Sequence, residues 1–131
     1  MTDVSIHPKD LAAARAVEDT MYFVESYNVL AERVHATCVE KGFWPRNLAD
    51  RNDGEAIALM HEELSEALWA LRHGNPADEK LPAFTNLEVE LADAIIRIMD
   101  YGKGRGLRVA EALVAKMAYN ATRPYKHGRE F

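Results

Sequence analysis

The 131-residue sequence predicts an all-α fold, a bundle of four to five helices. Three observations carry this. Apolar residues recur every three or four positions along most of the chain. Pro8, Pro45, Pro76, Pro82 and Pro124 stand at the edges of those periodic runs, not inside them. No stretch alternates apolar and polar residues between turn signals, as a half-buried strand would. Ala and Leu, both good helix formers, supply much of the 48% hydrophobic content.

The elements follow in order. From Lys9 to Gly42, Leu11, Val17, Met21, Val24, Leu30, Val34 and Cys38 mark one long helix, or two with a break near Asp19–Thr20, stopped by Gly42. Phe43 to Asn52 reads as a loop, with Asp53 as the N-cap of a second helix. That helix runs from about Gly54 to His73 and ends at Gly74-Asn75-Pro76. After a polar loop, Pro76 to Thr85, a third helix spans about Asn86 to Lys103, capped by Thr85 or Asn86 and ended by Gly102, Gly104 and Gly106. A fourth covers about Leu107 to Thr122, and a basic, extended tail runs over 124–131. One domain over 1–131, with 1–20 as an N-terminal extension, fits the length.

Charge and composition narrow the function. Sixteen basic and 21 acidic residues give a net charge of -5, against the basic excess of a nucleic-acid-binding domain. Cys38 is the only cysteine, which excludes an intrachain disulfide and a cysteine-based zinc site. No apolar run approaches the roughly 20 residues of a membrane span, and the first residues lack the pattern of a signal peptide. A soluble, cytoplasmic protein with no membrane or nucleic-acid partner is the expectation.

The acidic residues are arranged, not scattered. The second helix carries Glu62, Glu63 and Glu66 in MHEELSEAL; the third carries Glu90 and Asp93 in LEVELADAI. Residues three apart on a helix are neighbours, so Glu63 pairs with Glu66 and Glu90 with Asp93. A short loop joins the two helices, which should pack antiparallel and set the pairs across one groove. Four carboxylates there need a hard dication, and oxygen ligands select magnesium, manganese or calcium over zinc. On a helical wheel, Leu87, Leu91, Ala94, Ile95, Ile98, Met99 and Tyr101 cover most of the third helix, leaving a stripe of Glu90, Asp93, Arg97 and Asp100. On the second, Glu63 lies within an apolar arc of Ala56, Leu59, Met60, Ala67 and Ala70, with Glu66 at its edge and Glu62, Ser65 and Arg72 outside. Carboxylates so placed require partners, and a metal is one. The bland alternative is a solvated acidic face.

Lys116, Asn120 and Arg123 share one face of the fourth helix, in line with Val109 and Leu113, and look inward-facing. They suit phosphate oxygens, or salt bridges to the acidic helices.

These residues together resemble the MazG-type all-α nucleoside triphosphate pyrophosphohydrolases. Glu63-x-x-Glu66 followed by Glu90-x-x-Asp93, within EELSEAL and ELADAIIRIMD, resembles the family's double motif, and Lys116-x-x-x-Asn120-x-x-Arg123 resembles its phosphate-binding end. The resemblance covers roughly Asn28 to the C-terminus. It implies hydrolysis of a ribo- or deoxynucleoside triphosphate to monophosphate and pyrophosphate. It implies Mg2+, with Mn2+ as a possible substitute, held by Glu63, Glu66, Glu90 and Asp93, with Glu63 or Glu66 orienting the attacking water. It also implies a homodimer or homotetramer in which the core helices pair. By the same resemblance, His35 and Trp44, and more weakly Asn28, bind base or sugar; the alternatives are a surface histidine and a core tryptophan. Trp69 is assigned to an interface, and Arg97 and Asp100 to support behind the metal ligands. Tyr125, Lys126 and His127 are candidates for phosphate or a neighbouring subunit.

Two rivals stand beside this reading. A di-iron carboxylate bundle needs two Glu-x-x-His motifs, and only Glu32-x-x-His35 is present. A non-enzymatic helical interaction module would use its carboxylates for solubility alone.

Overall fold

The computed structural model describes residues 7–130, apart from the side chains of residues 10, 11, 13 and 14. Residues 1–6 of the N-terminal extension, the Leu11 side chain and the terminal Phe131 lie outside the described residues. The fold is all-α: α1 (Pro8–Glu40), α2 (Asp53–Arg72), α3 (Asn86–Gly104) and α4 (Val109–Ala121). Among the described residues there is no strand, only an isolated antiparallel bridge between Ala77 and Thr85. No helix among them is long and apolar enough to cross a membrane.

α1 is continuous, without a break at Asp19–Thr20. The Thr20 hydroxyl donates to the Ala16 carbonyl (2.9 Å), so a residue that often interrupts helices is accommodated within this one. Gly42, at φ +86°, takes the left-handed conformation that closes the helix. The following loop holds one short 3₁₀ turn, Leu48–Asp50.

α2 is capped by Asn52, whose side chain accepts from Glu55 N (2.9 Å), and not by Asp53. Asp53 is the first helical residue, and its carboxylate accepts instead from Arg105 Nε (2.7 Å) and the Tyr101 hydroxyl (3.0 Å). α3 begins with a full capping box: Thr85 accepts from Glu88 N, and Glu88 accepts from Thr85 N (2.7 Å). Gly102 and Gly104 lie inside α3; Gly106, at φ +65°, follows its end. α4 starts at Val109, without a side-chain cap. The tail is not fully extended: it makes one turn at Tyr125–Gly128.

The chain divides into two compact units. One comprises residues up to Leu30 together with those from Arg108; the other is Ala31–Leu107. In the first, Ala110 is completely buried and Asn28 Nδ2 lies 3.5 Å from Glu111 Oε1.

The second unit is built on α2 and α3. Asp53 meets Arg105, Glu63 meets Arg97 and Glu66 meets Glu90, so the helices run antiparallel. Their seam is lined by small residues: Ala56, Ala67, Ala70, Ala94 and Gly102 are buried, with Met99. Small side chains let the backbones approach and draw the carboxylates into the seam. The apolar sides of both helices are left open. Ile57, Leu64, Leu68 and Leu71 on α2, and Leu91, Ile95, Ile96 and Ile98 on α3, are exposed in the single chain. The wheel of α3 suggests a largely buried helix; in the chain itself Ala94, Met99 and Asp100 are buried, Glu90, Asp93 and Arg97 are half-buried, and Leu91, Ile95 and Ile98 face out.

Candidate functional site

The seam places the acidic residues as the helical spacing requires. Carboxylate oxygens of Glu63, Glu90 and Asp93 all lie within 4.8 Å of one another. Glu63 is buried, at 6% exposure; Glu90 and Asp93 are half-buried; Glu66 is exposed, within hydrogen-bonding reach of Glu90. Glu63 sits deep because it occupies the Ala56–Ala67–Ala70 arc of α2, and Glu66, nearly a turn later, falls at the rim.

Charge of one sign in one place carries an electrostatic cost. Burial first, then the hydrogen bond with Glu66 and repulsion from Glu66, Glu63 and Asp93, push the Glu90 carboxyl up to about 7. Burial and the Glu63 charge raise Asp93 as well, opposed by Arg97 and Lys80. The Arg97 guanidinium donates from Nε to Glu63, giving the most buried carboxylate a partner within the protein. Arg97 therefore touches a candidate ligand directly.

The donor set suits a hard dication. It is all oxygen, with no histidine or cysteine in the cluster, which disfavours the di-iron reading.

Two clefts flank the cluster and share Glu66, Asn86 and Glu90. One, of about 530 Å³, is bounded by Ser65 and Trp69; the other, of about 670 Å³, runs under the Pro76–Leu81 loop to Asp93. Trp69 is 55% exposed and stacks on His73 (centroids 3.9 Å apart). The wheel puts Trp69 on an outer face; the cleft wall it forms arises because α3 packs beside it, which no single-helix pattern contains.

Asp100 belongs to a different cluster. Its carboxylate accepts from Trp44 Nε1 (2.8 and 2.9 Å) and pairs with His35 Nδ1 (2.8 Å). It thus anchors the two residues assigned to base or sugar, not the metal ligands. Trp44 is 6% exposed, with His35 edge-on to its ring and Arg51 and Arg105 over it at 5.3 and 5.8 Å. It is a core residue in this structure, with no open face for stacking. Buried indole needs a partner for its N–H, and a buried carboxylate needs donors; each supplies the other. His35 is half-buried, with Nδ1 committed to Asp100. Asn28 lies in the other unit, apart from this pair in the division of the chain.

Lys116, Asn120 and Arg123 also fall in that first unit. Their face is only partly inward: Val109, Asn120 and Arg123 are half-buried, whereas Leu113 and Lys116 are exposed. Lys116 and Arg123 both lie over the Tyr119 ring, at 4.8 and 5.8 Å, and the Asn120 amide oxygen is buried without a hydrogen-bond partner. Tyr125, Lys126 and His127 are exposed on the tail turn.

Comparisons with protein-family models, with curated proteins and with solved structures find no match to this chain.

Proposed function

We propose that this chain is a magnesium-dependent nucleoside triphosphate pyrophosphohydrolase of the MazG type. The observation that carries the reading is the convergence of Glu63, Glu90 and Asp93 from two antiparallel helices, with Glu66 at the rim. Three carboxylates converging in one seam, with a fourth at its rim and Arg97 paired to only one of them, leave a repulsion that a bound dication would relieve, which supports reading them as a ligand set.

In this reading Glu63, Glu90 and Asp93 hold magnesium, and manganese can replace it. The ion, when bound, supplies positive charge to phosphate oxygens and acidifies water. Glu66 is the group we assign to take a proton from the water that attacks the α-phosphorus, because it is exposed while Glu63 is tied to Arg97. Arg97 holds Glu63 in place through its Nε donor. The two clefts suit the two ends of a nucleotide: an aromatic wall at Trp69 for the base and a polar one for the phosphates. Lys116, Asn120 and Arg123 remain candidates for the phosphate end on the strength of their motif.

The same reading includes a homodimer or homotetramer. The exposed stripe Ile57, Leu64, Leu68 and Leu71 on α2 and its counterpart Leu91, Ile95 and Ile98 on α3 support pairing of these helices between copies. Residues 1–20 have no role in the reading.

A panel of ribo- and deoxynucleoside triphosphates with magnesium, assayed for pyrophosphate and monophosphate, tests it. Release of pyrophosphate that EDTA abolishes is the expected result. Silence across the whole panel, at full magnesium occupancy, would sink it.

A further inference from the structure

The loop that joins α2 to α3 forms one wall of the larger acidic cleft, and it is a fixed wall. Asn86 N donates to Pro76 O (2.9 Å), Asp78 N to Phe84 O (2.8 Å) and Phe84 N to Leu81 O (2.9 Å). The Asn75 side chain accepts from Leu87 N (2.9 Å), locking the start of the loop to the first turn of α3. At the tip, Asp78 Oδ1 accepts from both Lys80 N (2.9 Å) and Leu81 N (2.7 Å). One oxygen of the Asp78 carboxylate is thus committed to backbone N–H groups.

That commitment has a consequence for Lys80. The residue follows two acids, Asp78 and Glu79, yet it is in no ion pair among the described residues. Lys80 lines the same cavity as Glu66, Glu90 and Asp93. Among the described residues lining the two clefts, it is the one cationic side chain. Arg97, the other cation by the cluster, is already held by Glu63.

A cation in no ion pair, on the loop wall of a cavity also lined by Glu66, Glu90 and Asp93, matches an anion that binds both the lysine and a divalent ion. We propose that Lys80 is a substrate-contacting residue, its ammonium taking phosphate oxygens of a polyphosphate whose other oxygens lie toward Glu66, Glu90 and Asp93. The inference rests on reading the cleft as a polyphosphate site.

The test uses the full chain and inorganic tripolyphosphate with magnesium, followed by isothermal titration calorimetry, for the wild type, Lys80→Met and Lys80→Arg. Lys80 is exposed and only its backbone braces the loop, so the variants should melt like the wild type. Lys80→Met is expected to lose roughly tenfold in tripolyphosphate affinity, with Lys80→Arg close to wild type and magnesium affinity alone unchanged. Equal binding by Lys80→Met and wild type, or no tripolyphosphate binding by the wild type, overturns the proposal. Nucleotide turnover separates the two ideas. Lys80-dependent tripolyphosphate binding without hydrolysis of any triphosphate removes the enzyme reading and leaves Lys80 as a phosphate contact. Hydrolysis with the same KM in Lys80→Met removes Lys80 and leaves the enzyme.

Discussion

Arg97 on α3 donates its Nε hydrogen to the buried carboxylate of Glu63 on α2, inside the candidate metal cluster. The guanidinium neutralises the most desolvated acid of the seam. Arg97 is itself about a third exposed, so the pair is strong without being sealed from water.

Arg97→Met should therefore destabilise the metal-free protein by about 1–2 kcal/mol, since it leaves Glu63 buried and unpaired. In a Glu63→Gln background the same change should cost much less. Urea unfolding of the two single variants and the double variant measures the coupling; a coupling near zero would show that the pair contributes nothing.

Glu90 sets a pH dependence. Its carboxyl is pushed up to about 7 in the folded chain, against an ordinary 4.5. The folded state then holds a proton that the unfolded state has released, so this contribution is full below the ordinary value and is lost as pH rises through the folded one. With EDTA present, Tm should fall between about pH 5 and about pH 8, by roughly 3–5 °C once solvent screening is allowed for. Glu90→Gln should flatten that slope, and magnesium should raise Tm most at the alkaline end. Thermal melts across pH, with and without magnesium, provide the check.

Removing ligand charge should stop turnover without unfolding the chain. Glu63→Gln and Asp93→Asn are expected to abolish pyrophosphate release, with circular dichroism unchanged. Glu66→Gln should leave magnesium affinity less affected and lower kcat by roughly 10²–10⁴-fold. Full activity in either ligand variant would contradict the assigned metal set. Lys116→Ala should reduce the rate by a smaller factor, and an unchanged rate would exclude it from the site.

Gly104 is required by the ring beside it. A Cβ at this position would overlap the Trp44 indole and come 2.9 Å from His35 Cε1. Trp44 is fixed by Asp100 and cannot step aside. Gly104→Ala should destabilise by about 1–3 kcal/mol and alter tryptophan fluorescence. Wild-type stability in that variant would mean the ring is free to move.

The open α2 stripe predicts the assembly state. Leu64→Lys with Leu68→Glu should break down the proposed homodimer or homotetramer in sedimentation equilibrium, because each charge would have to be buried at the interface. A wild type that sediments as a monomer would remove the oligomer from the reading.

The sequence by itself determined the helices and their polar and apolar sides. Three- and four-residue spacing is a local property, so the burial of Ala56, Glu63, Ala67 and Ala70 along α2, with Glu66 at the edge, was legible on a wheel. Helix ends were legible to within one or two residues; Asn52 displaced Asp53 as cap because Arg105, 52 positions on, draws Asp53 away. Only the tertiary structure decided which partner each polar group takes. Asp100 shares a stripe with Glu90 and Asp93, yet two more turns along α3 carry it to Trp44 and His35, groups that lie beside it through chain folding alone. The same holds for Trp69, an outer residue of its own helix that becomes a cleft wall, and for Lys80, whose freedom depends on where the Asp78 carboxylate turns. Periodicity fixes directions on one helix, and a short loop sets α2 antiparallel to α3; which groups meet from more distant segments, such as Trp44 and His35 at Asp100, depends on how the rest of the chain folds back, and local spacing carries no record of that.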